Sequence, residues 1–268
     1  MKLYNRDYNQ LTPSEIEEWE LLKNKEIVGK LGNTVIRKSL FAKYPKAVRH
    51  FTGLFPNNYL DVVELKEDVV LNKKINDFES LVFSETTNER EILNFIRENE
   101  AYFIVGSLLK SYFSFGHHDA YAFPEFPLGN SYRVDYVLVG KSSDGWNFVF
   151  VELESPNKNI TLENGELGSA FRKGENQIQD WDAWIEQYYS FIQEIFNKYK
   201  NIDMPLPREF AQLDKSRINY VVIAGRRKDF TEKTYRIRRV KNNNNQLLIL
   251  HYDNLIDASK GLIGSATY

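Results

Sequence analysis

Apolar and polar positions along this chain change period several times, and each change predicts an element. Across residues 175–200 the apolar side chains Ile178, Trp181, Trp184, Ile185, Tyr188, Ile192, Ile195, Phe196 and Tyr199 recur at spacings of three and four, the signature of a long amphipathic helix. Residues 89–99 repeat that period with Ile92, Phe95 and Ile96 on one face. Thr12-Pro13-Ser14-Glu15 is a capping box with proline at the first helical position, so a helix runs over about 13–22. Residues 132–139, 146–154, 219–225 and 246–250 are short, almost continuously apolar runs and read as buried strands. Residues 27–29 and 34–38 flank Gly32-Asn33 and predict a hairpin. The stretch 61–71 offers another strand, 75–83 fits strand or helix, and 102–113 is helical or irregular. His117-His118-Asp119 reads as a loop, and 155–174 as a glycine-rich polar passage before the long helix.

The polar run Ser84-Glu85-Thr86-Thr87-Asn88 is the expected boundary between a small α+β module, residues 1–83, and a second region, residues 84–268. In that second region helices are separated by strands, which argues for an α/β domain with a mixed sheet packed between helices. A chain of 268 residues is comfortable for two domains. No run approaches the roughly 18 apolar residues of a membrane span, and the start MKLYNRDYNQL lacks a signal peptide's apolar stretch. The expectation is a soluble, cytoplasmic protein with no membrane partner. Absence of cysteine excludes disulfides and thiolate metal sites, leaving hard oxygen ligands as the available metal chemistry.

Candidate chemistry concentrates in SYRVDYVLVGKSSDGWNFVFVELE. Asp135 interrupts the first of two adjacent apolar strands, and the second ends in Glu152 and Glu154. Side chains alternate along a strand, so Glu152 and Glu154 point the same way with Cα atoms roughly 6–7 Å apart. Carboxylates beside a packed sheet are costly unless compensated, and a divalent metal is one compensation. The plainer alternative is a strand that runs out into solvent at Glu152. Glu89 lies three and seven residues before Ile92 and Ile96 and shares their face, whereas Glu91 lies to one side. It is either a ligand or a salt-bridge partner. Gln177 heads the apolar face of the long helix, as a site residue or as a helix-start amide bonded to backbone. Adjacent His117 and His118 splay apart and do not easily share a metal, while His50 and His251 stand alone. Net charge is −2, yet residues 226–241, RRKDFTEKTYRIRRVK, carry eight Lys or Arg against two acids. Such a basic ribbon on an acidic body fits phosphate contact on one face, or a solvated charged hairpin.

RVDYVLVG…WNFVFVELESPN, a helix entered through Gln177 and Trp181/Trp184, YVVIAGRR and ILHYDNLI together resemble the Shedu anti-phage defence nucleases, part of the PD-(D/E)xK nuclease superfamily. The likeness runs from about residue 88 to the end. It implies a PD-(D/E)xK-like mixed sheet flanked by helices. It also implies Mg²⁺ on Asp135 and Glu152, with Mn²⁺ able to substitute, a helix carboxylate at Glu89 and the helix glutamine at Gln177. The superfamily lysine, which helps activate water, is replaced here by Glu154. A carboxylate there can take a water's proton but loses positive charge at the phosphate, a charge that Lys158 or Lys173 could return.

The resulting expectation is a metal-dependent DNA endonuclease in anti-phage defence, acting as a homo-oligomer. Asp135, Glu152, Glu154, Gln177 and Glu89 would form its site, and Arg226, Arg227, Lys228, Arg236, Arg238 and Arg239 would hold DNA. One rival is a regulatory nucleic-acid-binding protein on an inactive nuclease scaffold. A second is a glycosidase using Glu152 and Glu154, which the basic ribbon and the lack of sugar-cleft signals disfavour.

Overall fold

The computed structural model of the chain describes residues 1–31, 34–158, 160–245 and 247–268. Among these lie helices α1 (Pro13–Glu26), α2 (Lys46–Phe51), α3 (Asp68–Phe83), α4 (Glu89–Glu98), α5 (Phe103–Leu108), α6 (Ser169–Tyr199), α7 (Glu232–Asn245) and α8 (Tyr252–Leu262). Strands β1 (Ile27–Leu31) and β2 (Thr34–Arg37) form a separate antiparallel pair; the Gly32-Asn33 turn expected between them lies outside the described residues. Strands β3 (Asp119–Leu128), β4 (Tyr132–Ser142), β5 (Gly145–Leu153), β6 (Ile218–Ile223) and β7 (Leu247–Leu250) make one sheet in that order. The β3–β4–β5 part is antiparallel and the β5–β6–β7 part parallel. Parallel neighbours need crossovers, which α6 and α7 supply. The fold is therefore α/β, a mixed sheet flanked by helices and preceded by a small α+β region.

Both faces of the sheet are covered, which explains why its strands read as apolar runs rather than alternating ones. Val149, Val151 and Leu153 pack with Leu108 of α5 and Leu255 of α8. Phe148 and Phe150 point the other way, toward Trp181, Ile185 and Phe196 of α6.

Four expectations need correction. The sequence predicts loop at 117–119 with no strand after it, yet β3 begins at Asp119. Its Pro124 and Pro127 disguise it, because proline is tolerated mainly on an edge strand, where β3 sits. Residues 61–71 are no strand. Arg49 holds Asp61 through a guanidinium Nη2–Oδ2 contact of 2.6 Å, a 3₁₀ turn follows over Glu64–Lys66, and α3 starts at Asp68. The buried residues of α3 (Leu71, Ile75, Phe78, Val82) keep helical spacing across the point where the sequence pattern divides. The long helix begins at Ser169, inside the passage expected as loop. Residues 226–241 form a 3₁₀ turn, Arg227–Asp229, and then most of α7, not a hairpin.

The N-terminal stretch lies along the free side of β3. The Leu60 N–H donates to the Ala120 carbonyl at 2.9 Å, Asn58 Nδ2 to the Ala122 carbonyl at 2.9 Å, and Tyr59 bridges Tyr121. Phe55 enters an aromatic cluster with Tyr121, Phe123, Phe196 and Phe210, and Leu60, Leu65, Phe78 and Val82 share the core beneath α5 and α8. No helix among the described residues is long and apolar enough to cross a membrane.

Candidate active site

The ladder between β4 and β5 ends with Tyr136 paired to Val151, so the next rung sets Asp135 across from Glu152. Directly opposed residues share a face, which brings the two carboxylates to one side of the sheet. Where the ladder stops, Asp135 takes its place: Oδ2 accepts the Leu153 N–H at 2.7 Å. The strand does not run out into solvent. Glu152 and Glu154 are 3% and 0% exposed, the Glu154 N–H donates to the Ile223 carbonyl at 2.8 Å, and the Tyr252 hydroxyl donates to the Glu154 carbonyl at 2.7 Å.

A glycine lets α6 reach this strand end. A Cβ on Gly174 would sit 2.5 Å from Val222 Cγ1, so the helix backbone packs directly on β6. Lys173, its neighbour, places Nζ 2.8 Å from Glu154 Oε1 and 3.6 Å from Glu89 Oε2. Apart from this ion pair, neither buried oxygen of Glu154 has a hydrogen-bond partner. The two glutamates at the start of α4 separate by role. Glu91 closes a capping box, accepting the Asn88 N–H at 2.8 Å, while Glu89 faces Lys173. Asn157 fixes the approach to α4, its Nδ2 donating to the Ser84 and Thr87 carbonyls at 2.7 and 2.8 Å. Gln177 stands one turn beyond Lys173 on α6, half-buried, with Oε1 shielded and lacking a hydrogen-bond partner.

Burial and mutual repulsion make these acids weak. Desolvation, with Glu89 and Glu154 nearby, raises Asp135 to about 7 against the pull of the Leu153 N–H. Desolvation, then Asp135, Glu154 and Glu89, raise Glu152 to about 9. Desolvation also raises Glu154, opposed by Lys173, whose own pKa the carboxylates push up. A donor set of hard carboxylate oxygens fits Mg²⁺ by its chemistry. Among the described residues no group of three or more His, Asp or Glu is placed to hold a metal ion. Mg²⁺ is ordinarily held by one or two carboxylates plus waters and phosphate oxygens, so Asp135 and Glu152 are the residues that would hold it.

The remaining sequence candidates fall elsewhere. Arg226 is bound by both oxygens of Asp253 at 3.1 Å and lies 3.7 Å over the Phe83 ring. Arg227 pairs with Asp257, Lys233 with Glu166 and Lys241 with Glu175. Lys228, Arg236 and Arg239 are exposed, and Arg238 lines a separate hollow with Tyr112 and Tyr235. His50 is buried with Nδ1 3.1 Å from the Pro56 carbonyl, and His251 caps α8 by accepting the Asn254 N–H. Sequence reasoning places Lys173 in a loop and assigns Asn157 and Tyr252 no role, although both stand in segments it singles out.

A mixed α/β sheet with buried and half-buried carboxylates gathered where β4 and β5 part, and a lysine from the crossover helix among them, defines an acidic, carboxylate-rich site. Residues 86–256 match the family described as Shedu protein SduA, C-terminal, and the chain belongs to that family. Comparison with curated proteins finds no match.

Proposed function

We propose that the protein is a metal-dependent nuclease that hydrolyses DNA phosphodiester bonds, in the anti-phage defence that Shedu membership suggests. The observation that carries this reading is the carboxylate set of half-buried Asp135 and buried Glu152 and Glu154, all raised by desolvation and repulsion, with one ammonium, Lys173, paired to Glu154. Asp135 and Glu152 would hold Mg²⁺, with Mn²⁺ as a substitute; when bound, the ion supplies concentrated positive charge against a phosphodiester. Glu154 is the base that takes the attacking water's proton. Lys173 keeps Glu154 oriented and returns the positive charge that a glutamate at the usual lysine position removes. Glu89 holds Lys173 from the far side, and Gln177 offers an unpartnered carbonyl oxygen one turn away. Family likeness adds a homo-oligomeric assembly, with residues 1–83 in sensing or restraint.

The test is cleavage of plasmid and linear phage DNA in Mg²⁺, in Mn²⁺ and in EDTA. Cleavage is expected with either metal and not in EDTA, and Glu152→Ala is expected to abolish it while circular dichroism stays that of the wild type. Full cleavage by Glu152→Ala would sink this mechanism. Glu154 in place of lysine favours a second reading, a DNA-binding regulator on an inactive scaffold. That reading predicts DNA binding in EDTA and no cleavage under any metal.

A further inference from the structure

Beside the carboxylates opens a cleft of about 810 Å³, and Glu89 and Asp135 form part of its wall. Apart from Glu125, its other charged lining is cationic: Lys2, Arg90, Arg97 and Arg133. Arg90, Leu93, Asn94 and Arg97 all line it from α4, and their spacing of three, four and seven is that of a single helix face. Arg90 and Arg97 are thereby about 10.5 Å apart along the helix axis, roughly three nucleotide steps of about 3.4 Å on one strand. The β3–β4 hairpin also lines the cleft, through Pro124, Glu125 and Arg133, as do the buried Tyr102 and Tyr136. Arg97 donates to Asn94 Oδ1 at 2.7 Å and meets Glu98 at 3.7 Å, and Arg133, 66% exposed, meets Glu125 at a loose 3.8 Å, so both charges are held only by exposed partners and are open to a stronger anion. The ribbon at residues 226–241 contrasts with this. Four of its eight cations are tied to Asp253, Asp257, Glu166 and Glu175, and the hollow lined by Arg238 and Arg239 contains none of the site carboxylates.

We infer that the phosphodiester backbone of the substrate runs through this cleft, seated on Arg90, Arg97 and Arg133, and not along the basic ribbon. The inference rests on the nuclease reading for its substrate and goes beyond it in placing the strand. Acidic walls alone would repel a polyanion at the reacting phosphate. Arginines a few residues from Glu89 and Asp135 hold the flanking phosphates instead, and set which bond meets the carboxylates.

The experiment uses fluorescence anisotropy of a labelled DNA duplex of about thirty base pairs with the full chain in EDTA, across a salt series. Arg90→Ala with Arg133→Ala is expected to weaken binding at least tenfold. The same pair should flatten the slope of log Kd against log salt by about 2, one unit for each phosphate that is no longer neutralised. Arg236→Ala with Arg239→Ala is expected to bind within twofold of wild type. All four side chains are exposed, and unchanged thermal melting verifies the fold. Glu125→Gln, which frees Arg133, is expected to tighten binding about twofold. A cleft pair that binds within twofold of wild type overturns the inference, as does a wild-type protein that binds no DNA. Cleavage by wild type, assayed separately, keeps the two ideas apart: cleavage with an unaffected cleft pair sinks the track alone. A cleft-dependent affinity without cleavage sinks the nuclease reading alone.

Discussion

Glu154 and Lys173 form a unit, and substitutions at either must be judged together. Glu154→Lys alone sets a second ammonium against Lys173 and is expected to lose cleavage, although it restores the lysine that the nuclease resemblance leads one to expect. The exchange Glu154→Lys with Lys173→Glu keeps the pair with its polarity reversed and is expected to recover a measurable part of the rate. No recovery in the exchange, with the fold intact by circular dichroism, would mean that Glu154 contributes more than charge. Titration follows from the same burial. Asp135 and Glu152 have folded pKa values above those of an unfolded chain, so the protonated forms favour folding. Their stabilisation is complete below the ordinary carboxylate range and is lost as pH rises through about 7 and then about 9. His50 and His251 act in the opposite sense. Burial lowers each to about 4, so their contribution is whole above about 6.5 and disappears as pH falls toward 4. Thermal melts in EDTA are therefore expected to fall between pH 6.5 and 9. Glu152→Gln should flatten that decline, and added Mg²⁺ at pH 8 should raise the wild-type midpoint more than the variant's.

At the scale of elements, what the sequence revealed and what it hid have physical reasons. Helices with local signals were plain: Thr12 and Glu15 form the expected box at α1, and the period-3.6 stripe of α6 packs as its spacing implied except at Tyr188, where the backbone leaves helical φ/ψ, Tyr188 turns outward and Tyr189 is buried instead. β4, β5, β6 and β7 declared themselves because a strand buried on both faces has no polar alternation to blur it. β3 was hidden by prolines that only an edge strand accommodates. The start of α6 was hidden by Gly174, which reads locally as a helix breaker but is required by a contact with Val222 some fifty residues away. The same reason concealed Lys173: the ammonium reaches Glu154 because the helix continues back through Gly174. Asp135, Glu152 and Glu154 could be nominated from strand pattern. Their opposition needed the register, and the separation of Glu89 from Glu91 needed the cap. Gly174→Ala is accordingly expected to cost about 1–3 kcal/mol in urea denaturation, as overpacking does. It should also depress cleavage by shifting Lys173, whereas Gly261→Ala, with open space around its Cβ position, should do neither.

Over the whole molecule, residues 1–83 supply side chains to both cores, from Phe55 on one face of the sheet to Leu65 and Phe78 on the other. A boundary at 83/84 is a statement about independent folding, which truncation measures. A fragment of residues 84–268 loses the cover over β3 and exposes the aromatic cluster around Phe123 and Phe196, so it is expected to aggregate or to lack a cooperative melt. A soluble fragment with a sharp transition would establish the second region as a folding unit. The contact of Asn58, Tyr59 and Leu60 with Ala120, Tyr121 and Ala122 has one more consequence, for a chain still being made. The covering residues leave the ribosome some sixty positions before the strand they cover. When β3 emerges, the residues that meet Ala120–Ala122 are already made, so that stretch of its edge need not stand open to neighbouring polypeptides on a crowded polysome.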